Sequence, residues 1–474
     1  MSFTRRDFVS TGMAGISATL LPGMASAKPR EKQRKRVPSD IVNVAMIGAG
    51  GMGANNGANL VKSSNVNIVA LADVDFEHVA KSLLGENGEM NPERQALKDA
   101  YDKAPQYSDY CKMFDAQKDI DAVVIATPDH HHAFAAKMAM ERGLHVYVQK
   151  PLTYSVHEGR VLLDLARKKP KLVTQMGNQG HSGDDGRRVV ELIRGGVIGK
   201  VREAHIWTNR PVWPQGIAKP ADEATPASLD WGMWLGPANV DWGYNPSYAH
   251  FNWRGWVPFG VGALGDMGAH LIDFPVWALE PGLPTKIETR HSAWGGDTNP
   301  WDGKGPDVLT SYPLASVTHY QFGNAPGGPV ELTWYDGGLM PPTPEGIPPG
   351  RMDPSGGVMF VGDQGYLIHE TYGNKPIMFG KDVAERAATI PVSLPRIIGG
   401  QDGHELNWIR AIKGQESISN PFEYAVPLNE TMVLGMVALK AGRPIVYDGK
   451  AGQITNAPEA NQYLTREYRK GWEI

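Results

Sequence analysis

The chain has 474 residues, of which 41% are hydrophobic and 21% are charged, an ordinary balance for a soluble globular protein of two or three domains. Its formal net charge of −4 gives no basis for a nucleic-acid or anionic-membrane partner. Cys111 is the single cysteine, which excludes an intramolecular disulfide framework and a multi-cysteine zinc site.

The first 27 residues have the three parts of an export signal. Arg5 and Arg6 precede a short apolar stretch rich in small residues, and a small-residue cleavage pattern ends at Ala27. The paired arginines, with Phe8 two places on, resemble a twin-arginine signal. This pattern predicts export to the periplasm by the twin-arginine machinery and cleavage after Ala27; an ordinary secretory signal or an uncleaved anchor is the alternative. The apolar stretch is too short to predict a stable membrane span, and 28–38 is a basic linker.

A glycine-rich turn follows the first strand-like run, "IVNVAMIGAG". Gly48, Gly50 and Gly53 form G-x-G-x-x-G, and a helix is predicted from about Gly53 to Lys62. Such a turn lets the backbone approach a pyrophosphate at the helix N-terminus. The next run, "NIVALADVD", places Asp73 where an acid accepts hydrogen bonds from the ribose of NAD and repels the 2′-phosphate of NADP. A dinucleotide site that prefers NAD is therefore predicted.

Strand and helix patterns alternate as far as Gln179, which predicts a doubly wound parallel sheet over 39–179. Ligands bind beyond the carboxyl ends of such strands, where Thr127, Pro128 and Lys150 fall. The segment 130–132 is a triple histidine, but consecutive residues do not share a face and no further ligand stands at metal spacing, so no metal site is predicted. His132 is expected near the cofactor, and the other two histidines are expected in solvent.

Four segments together resemble the Gfo/Idh/MocA family, named for glucose–fructose oxidoreductase, inositol dehydrogenase and a rhizopine catabolism protein. They are "MIGAGGMG", "ALADVD", "ATPDHHHAFAAKMAMERGLHVYVQKPL" and "GALGDMGAHLID". The resemblance implies an N-terminal Rossmann domain and, over 180–474, a C-terminal α/β domain with an open, mostly antiparallel sheet. That sheet would carry the substrate site and the interface of a homodimer or homotetramer. Gln149 stands where the family usually has glutamate, which leaves the electrostatic support of Lys150 in question.

The resemblance implies a catalytic set of Lys150, Asp266 and His270. An ammonium at a strand end beside the nicotinamide can bond the substrate oxygen. Asp266 and His270 are four residues apart in a predicted helix, so both lie on one face, where a histidine can accept a proton. The alternative is a helix-terminal aspartate and a buried histidine in the core. The residues expected to contact NAD are Gly48, Gly50, Gly51, Met52, Gly53, Asp73, Thr127, Pro128, His132 and Lys150.

Seven of the 13 tryptophans fall between Trp207 and Trp256. Aromatic rings pack on the C–H faces of sugars, so the segment suits a carbohydrate, although packing of a proline-rich excursion is the alternative for at least half of the rings. The predicted substrate-binding residues are His181, His250, Trp253 and Arg254.

These observations predict an exported, NAD-dependent oxidoreductase that acts on a sugar or glycoside. Since free NAD is not available outside the cell, the cofactor is expected to be bound tightly and exported with the folded protein. Two alternatives stay open: a redox-neutral glycosidase that passes through a transient keto-sugar, and a sugar-binding protein without redox turnover.

Overall fold

The first half of the chain forms the parallel sheet that the strand–helix alternation predicts. A computed structural model describes residues 41–292 and 310–474; the export signal and the linker predicted over 1–38 lie outside these ranges. The sheet has the order β3-β2-β1-β4-β5-β6, and every neighbouring pair is parallel. Its strands are β1 (Val42–Ile47), β2 (Val66–Ala72), β3 (Gln106–Tyr107), β4 (Ala122–Ile125), β5 (His145–Val148) and β6 (Thr174–Met176).

Six helices connect these strands. They are α1 (Met52–Leu60), α2 (Phe76–Lys81), α3 (Gln95–Tyr101), α4 (Tyr110–Ala116), α5 (Asp129–Glu141) and α6 (Val156–Lys168). The polar segment 85–106 has no clear sequence signal, yet it contains α3, whose Leu97 and Tyr101 are buried against α1 and β2. Tertiary contact with the sheet therefore supplies stability that the local sequence pattern lacks.

The second half forms a mixed, mostly antiparallel sheet, which confirms the predicted fold class. The strand order is β13-β12-β11-β7-β10-β9-β8-β14-β15, and among these pairs only β7 and β10 are parallel. The homodimer or homotetramer expected through this sheet stays a prediction. The strands are β7 (Val201–Thr208), β8 (Lys286–His291), β9 (Ser316–Phe322), β10 (Val330–Tyr335), β11 (Gly356–Gly362), β12 (Gly365–Glu370), β13 (Ile377–Phe379), β14 (Ile445–Asp448) and β15 (Gln453–Ile454).

The helices of the second half join the two sheets. They are α7 (Asp184–Arg194), α8 (Trp231–Leu235), α9 (Gly262–Leu271), α10 (Asp273–Leu279), α11 (Val383–Thr389), α12 (His404–Ile412) and α13 (Phe422–Ala441). The α12 helix returns to the parallel sheet, where Glu405 accepts hydrogen bonds from Asn56 at 2.6 Å and Asn59 at 3.2 Å. The α13 helix packs against α6, α9 and β8, so one core is continuous across both halves. In the described ranges no helix is both long and apolar enough to cross a membrane.

The apolar pattern of 265–279, where one helix with Asp266 and His270 is predicted, forms two helices in the structure, α9 and α10. Pro275 lies near the start of α10 and has no amide hydrogen to donate to the turn before it. The apolar periodicity continues through the break, which explains why the sequence predicts one helix. Asp266 and His270 both lie in α9, whereas Asp273 begins α10.

The packing of α13 on the second sheet leaves no room for a side chain at Gly435. An added Cβ would lie 2.4 Å from Tyr320 Oη and 2.5 Å from Leu264 Cδ2, and both of these side chains are fully buried. We expect Gly435→Ala to lower the free energy of unfolding by about 1–3 kcal/mol through overpacking. Denaturant unfolding measures this, with Gly327→Ala as control because a Cβ there meets nothing within 4 Å. Equal midpoints for both variants would contradict the packing.

Candidate active site

A cleft of about 380 Å³ lies at the carboxyl ends of the parallel strands. Parallel sheets bind ligands at this edge because successive strand ends and helix starts converge there. The cleft brings together most of the residues expected to contact NAD, together with three of the four residues expected to bind substrate. The predicted residues that line it are Gly48, Gly50, Gly51, Met52, Asp73, Thr127, Pro128, Lys150, His250, Trp253 and Arg254.

The glycine turn at the floor of this cleft cannot carry side chains. Gly48 has φ +78°, and a Cβ there would lie 2.7 Å from the backbone of Ala126. A Cβ at Gly53 would lie 1.8 Å from the Gly48 carbonyl oxygen. The helix α1 starts at Met52, so its free amide groups point at the turn. The turn therefore fits the pyrophosphate of a dinucleotide.

Asp73 supports this turn from the end of β2. Its Oδ2 atom accepts hydrogen bonds from the amides of Ala49 at 2.8 Å and Gly50 at 3.2 Å. Oδ1 accepts a third bond, from the Asp75 amide at 3.1 Å. Burial raises the pKa of Asp73. The carboxylate thus fixes the glycine turn, and its contact with the ribose of NAD stays a prediction.

The triple histidine is buried, so the expectation that two of its members lie in solvent is wrong. His130 Nε2 and His131 Nε2 both lie 2.9 Å from the carbonyl oxygen of Trp234. Burial lowers the pKa of His131 to about 4. The two rings attach the start of α5 to α8, a contact between distant segments that no local pattern encodes.

His132 ties together the two loops that flank the expected nicotinamide site. Its Nδ1 atom lies 2.7 Å from the Pro151 carbonyl oxygen, and its Nε2 atom lies 2.9 Å from the Thr127 carbonyl oxygen. The ring is fully enclosed and lies behind the cleft, so it orients the Thr127 and Lys150 loops. Its predicted contact with the cofactor stays a prediction.

Lys150 and Asp266 meet directly. Lys150 Nζ lies 2.6 Å from Asp266 Oδ1 and 3.2 Å from the Asp266 carbonyl oxygen, and both side chains are only 10% exposed. Arg254 Nε is 3.1 Å from the same Oδ1 atom. Burial opposes the charge on Asp266, but Lys150 and Arg254 outweigh it and hold the pKa of this carboxyl well below its usual range.

The sequence left open whether Lys150 has a negatively charged partner, because Gln149 stands where the family usually has glutamate. Its side-chain amide donates to Asn56 Oδ1 at 3.1 Å and is therefore directed toward α1. A Cβ at Gly177 would lie 2.8 Å from this amide, so the pocket around it is closely packed. The negative partner of Lys150 is Asp266, which lies 116 residues further along the chain.

His270 lies one helical turn beyond Asp266 and is 3% exposed. Its Nδ1 atom is buried without a hydrogen-bond partner in the described part of the chain. Burial first, and the nearby Lys150 ammonium second, lower the pKa of His270 far below its ordinary value. The imidazole is therefore uncharged at pH 7.

Tyr372 lies against His270, and the sequence analysis missed it. The two rings meet edge to face with centroids 4.8 Å apart. Tyr372 follows β12 and has φ +68°, a left-handed conformation that costs a residue with a side chain about 1–3 kcal/mol. Such strain persists where surrounding packing imposes it, and here the Tyr372 backbone lies against Gly180. No motif in the surrounding sequence marks this residue.

Asp129 is a second residue that the sequence analysis missed, although it lies in a motif quoted for the family resemblance. Oδ2 accepts a hydrogen bond from the Val261 amide at 3.0 Å, immediately before α9. Oδ1 has no partner within the described ranges. Burial raises the pKa of Asp129 to about 7, against the opposing effect of Arg254. An acid at a helix start is common, so the sequence alone gave no reason to select it.

The tryptophan-rich segment contributes mainly to packing. Five of its rings belong to one aromatic cluster, in which Trp231 stacks on Trp234 with ring centroids 4.5 Å apart. Trp253 also contacts a cation, because its ring centroid lies 4.1 Å from the Arg254 guanidinium, and Trp213 flanks the same group at 5.8 Å. The five tryptophans of the aromatic cluster are Trp231, Trp234, Trp242, Trp253 and Trp256.

His250 and His181 lie away from the contact between Lys150 and Asp266. His250 stacks on His78 at 3.9 Å and bonds Asp75 Oδ2 at 2.9 Å, at the glycine-turn end of the cleft. His181 is buried, lies 2.9 Å from Asp273 Oδ2 and stacks on Trp277 at 3.8 Å. Their roles in substrate binding stay predictions.

His404 is a buried neutral histidine behind the site, with Nε2 2.9 Å from the Met176 carbonyl oxygen and Nδ1 2.7 Å from Ser182 Oγ. Burial lowers its pKa to about 4 from an ordinary value of 6.5. Between about pH 7 and pH 4 the unfolded chain binds this proton and the folded chain does not, so stability falls as the pH falls.

We therefore expect the difference in unfolding free energy between the protein and its His404→Gln variant to narrow by about 3 kcal/mol between pH 7 and pH 4. Denaturant unfolding at several pH values measures this difference. A difference that does not change with pH would show that His404 titrates alike in both states.

Two family models match this chain. The NAD-binding Rossmann fold of the oxidoreductase family matches residues 42–176, and the C-terminal alpha/beta domain of the oxidoreductase family matches residues 195–290. The first match confirms the predicted cofactor class, since it identifies the parallel-sheet half as NAD-binding. Across the described ranges, no group of three histidine, cysteine, aspartate or glutamate side chains is placed to hold a metal ion.

The curated relatives include a glycosyl hydrolase family 109 protein of Shewanella pealeana, 29% identical over 220 residues, which are 42% of this chain and 45% of that protein. Another of the same description, from Solibacter usitatus, is 28% identical over 42% of this chain and 44% of its own length. The chain thus spans less than half the length of the curated relatives that it matches.

Solved structures share the fold across most of the chain. The WlbA dehydrogenase from Chromobacterium violaceum, in complex with NADH and UDP-GlcNAcA, gives a TM-score of 0.59 at 14% identity and covers 87% of this chain and 98% of that one. Levoglucosan dehydrogenase, in complex with NADH and L-sorbose, gives 0.53 at 18% identity and covers 87% and 100%. At these identities the likeness shows the fold.

Proposed function

Because this chain belongs to the Gfo/Idh/MocA family of NAD-binding oxidoreductases, we propose that it oxidises a hydroxyl group of a sugar or glycoside by hydride transfer to NAD. The observation that carries this proposal is the 2.6 Å contact between Lys150 Nζ and Asp266 Oδ1, one helical turn from a neutral His270. An ammonium, its counter-charge and a proton acceptor are the groups that alcohol oxidation requires.

Each member of this set has a separate task. Lys150 donates a hydrogen bond to the substrate oxygen and stabilises the negative charge that develops on it. Asp266 holds the ammonium in place through the same contact. His270 accepts the hydroxyl proton as the carbon–oxygen bond becomes a carbonyl. NAD, when bound, supplies the acceptor for the hydride that leaves the same carbon.

Export in the folded state requires that the cofactor travel with the protein. Tight retention is supported by two tryptophans, Trp234 and Trp253, which line the cleft together with the glycine turn and offer apolar surface to a bound cofactor. The two histidines bonded to the Trp234 carbonyl oxygen hold the backbone of this residue in place. We propose a periplasmic enzyme that carries its NAD from the cytoplasm and returns the NADH formed on it to NAD by reducing a second carbonyl compound.

The curated relatives favour a second candidate, a redox-neutral glycosidase, since they are named glycosyl hydrolase family 109 proteins. There the hydride would return to the same substrate after loss of the aglycone, and water would supply the atoms of hydrolysis. The same Lys150, Asp266 and His270 would serve this reaction, so the residues do not separate the two candidates and the products do.

Purification without added NAD, followed by denaturation, tests for the retained cofactor. The near-ultraviolet absorbance of reduced nicotinamide is then followed in the native protein while sugars and glycosides are offered. Reduced cofactor that accumulates until a keto-sugar is added supports the oxidoreductase. Glycoside cleavage without net reduction favours the glycosidase, and a protein with neither response and no bound cofactor contradicts both.

A further inference from the structure

Positive charge exceeds negative charge around the catalytic carboxylate. Asp266 faces three cations: Lys150 at 2.6 Å, Arg254 at 3.1 Å, and Arg210 Nε at 3.9 Å from Oδ2. These side chains are 10%, 16% and 30% exposed, so the surplus lies in a place that water only partly reaches. A charge surplus of this kind is costly unless a ligand compensates it.

The other titratable groups that face this cluster do not cancel the surplus. His270 and Tyr372 are uncharged near neutral pH, since burial lowers the pKa of the first and raises that of the second. Within the described ranges, Asp129 is a further acid that interacts with Lys150 and Arg254, and it lies buried beneath the start of α9. Even when Asp129 is ionised, three cations face two carboxylates.

Arg210 is the cation with the fewest protein contacts. Lys150 makes two close bonds to Asp266, and Arg254 combines its ion pair with stacking on Trp253. Arg210, at the end of β7, donates to Asn209 Oδ1 at 2.6 Å through Nη1, and its separation from Asp266 is longer than a hydrogen bond. Apart from this longer ion pair, its remaining donors have no hydrogen-bond partner in the described ranges, which leaves an edge of the guanidinium available to a ligand.

We propose that the substrate is an anionic sugar whose acidic group binds the free edge of the Arg210 guanidinium. The inference rests on the proposed function and adds the substrate class. A planar guanidinium matches a carboxylate in a bidentate arrangement, so a sugar acid such as a uronate fits first. A sugar phosphate presents the same charge to the same donors and is distinguished by experiment.

The test compares D-glucuronate, D-glucose 6-phosphate and D-glucose on the NAD-loaded protein. We expect kcat/KM for an anionic sugar to exceed that for glucose by about tenfold or more, since a hydrogen bond to a charged group is worth about 1.5–3 kcal/mol. Arg210→Gln should lower the anionic value about ten- to hundredfold and so reduce the preference for the anionic sugar over glucose. Arg290→Gln, at a 75% exposed arginine paired with Glu288, is the matched control.

The outcomes separate the two proposals. A higher kcat/KM for glucuronate than for the other two sugars supports a sugar acid as substrate. A higher kcat/KM for glucose 6-phosphate supports an anionic sugar whose acidic group is a phosphate. Oxidation of glucose as fast as of either anion overturns the inference and leaves the proposed function standing. If no sugar is oxidised, tryptophan fluorescence near Arg254 reports binding instead: a change with the anions but not with glucose supports the inference, and equal or absent changes overturn it.

Discussion

Lys150→Met is expected to lower kcat for hydride transfer by about 10²- to 10⁴-fold while the protein stays folded and retains NAD. Methionine keeps an unbranched side chain that is only one atom shorter than that of lysine, and it removes the ammonium that bonds the substrate oxygen. Asp266 is not left unpaired, because Arg254 Nε remains 3.1 Å from its Oδ1 atom. The loss should therefore appear in catalysis rather than in stability. Single-turnover formation of reduced nicotinamide measures the rate, and nicotinamide released on denaturation measures cofactor content.

Lys137→Met provides the matched control for this variant. Lys137 lies on α5 of the same domain, is 28% exposed and pairs with Glu141 at 3.3 Å. An exposed pair of this kind contributes about 0–1 kcal/mol, so neither rate nor stability should change much. Unchanged turnover in Lys150→Met would remove Lys150 from the catalytic set. Equal losses of cofactor and rate would instead make it a residue that binds NAD.

The elements that follow from the sequence are those whose signal is local. The strand β1, the glycine turn and the helix after it each depend on a few adjacent residues, and the structure places the helix start at Met52, one residue before Gly53. Segment 85–106 has no such signal, because α3 is stabilised by burial of Leu97 and Tyr101 rather than by its own pattern. The helix α13 begins at Phe422 and contains Pro427, a residue type that usually ends a helix, so its local pattern does not reveal its length.

The residues of the candidate site also fall into two groups, those that sequence motifs predict and those that only the structure reveals. Lys150, Asp266 and His270 follow from motifs that the chain shares with a family, although no local pattern shows that the lysine and the aspartate touch across 116 residues. Arg210 and Tyr372 reach the same point from β7 and from the turn after β12, two strands of the second sheet. Their positions follow from strand pairing and packing, so only a three-dimensional structure identifies them.

The cofactor site gives a second expected result of comparable size. Gly53→Ala places a Cβ about where the Gly48 carbonyl oxygen lies, at 1.8 Å in the present geometry. That oxygen belongs to backbone that continues from β1, so the turn must open for the methyl group to fit. Overpacking costs about 1–3 kcal/mol or more, and the amides that face the pyrophosphate lose their arrangement. We expect affinity for NAD to fall by about 100-fold or more.

Equilibrium titration of the cofactor-free protein with NAD measures this change, and near-ultraviolet circular dichroism reports whether the aromatic cluster stays packed. Gly232→Ala is the control, because a Cβ there meets only Asp230 Oδ1 at an ordinary 3.5 Å. A loss of affinity in Gly53→Ala with an unchanged aromatic signal assigns the pyrophosphate to the glycine turn. Unchanged affinity would mean that the dinucleotide binds elsewhere in the cleft, and Lys150 would then lack a hydride acceptor beside it.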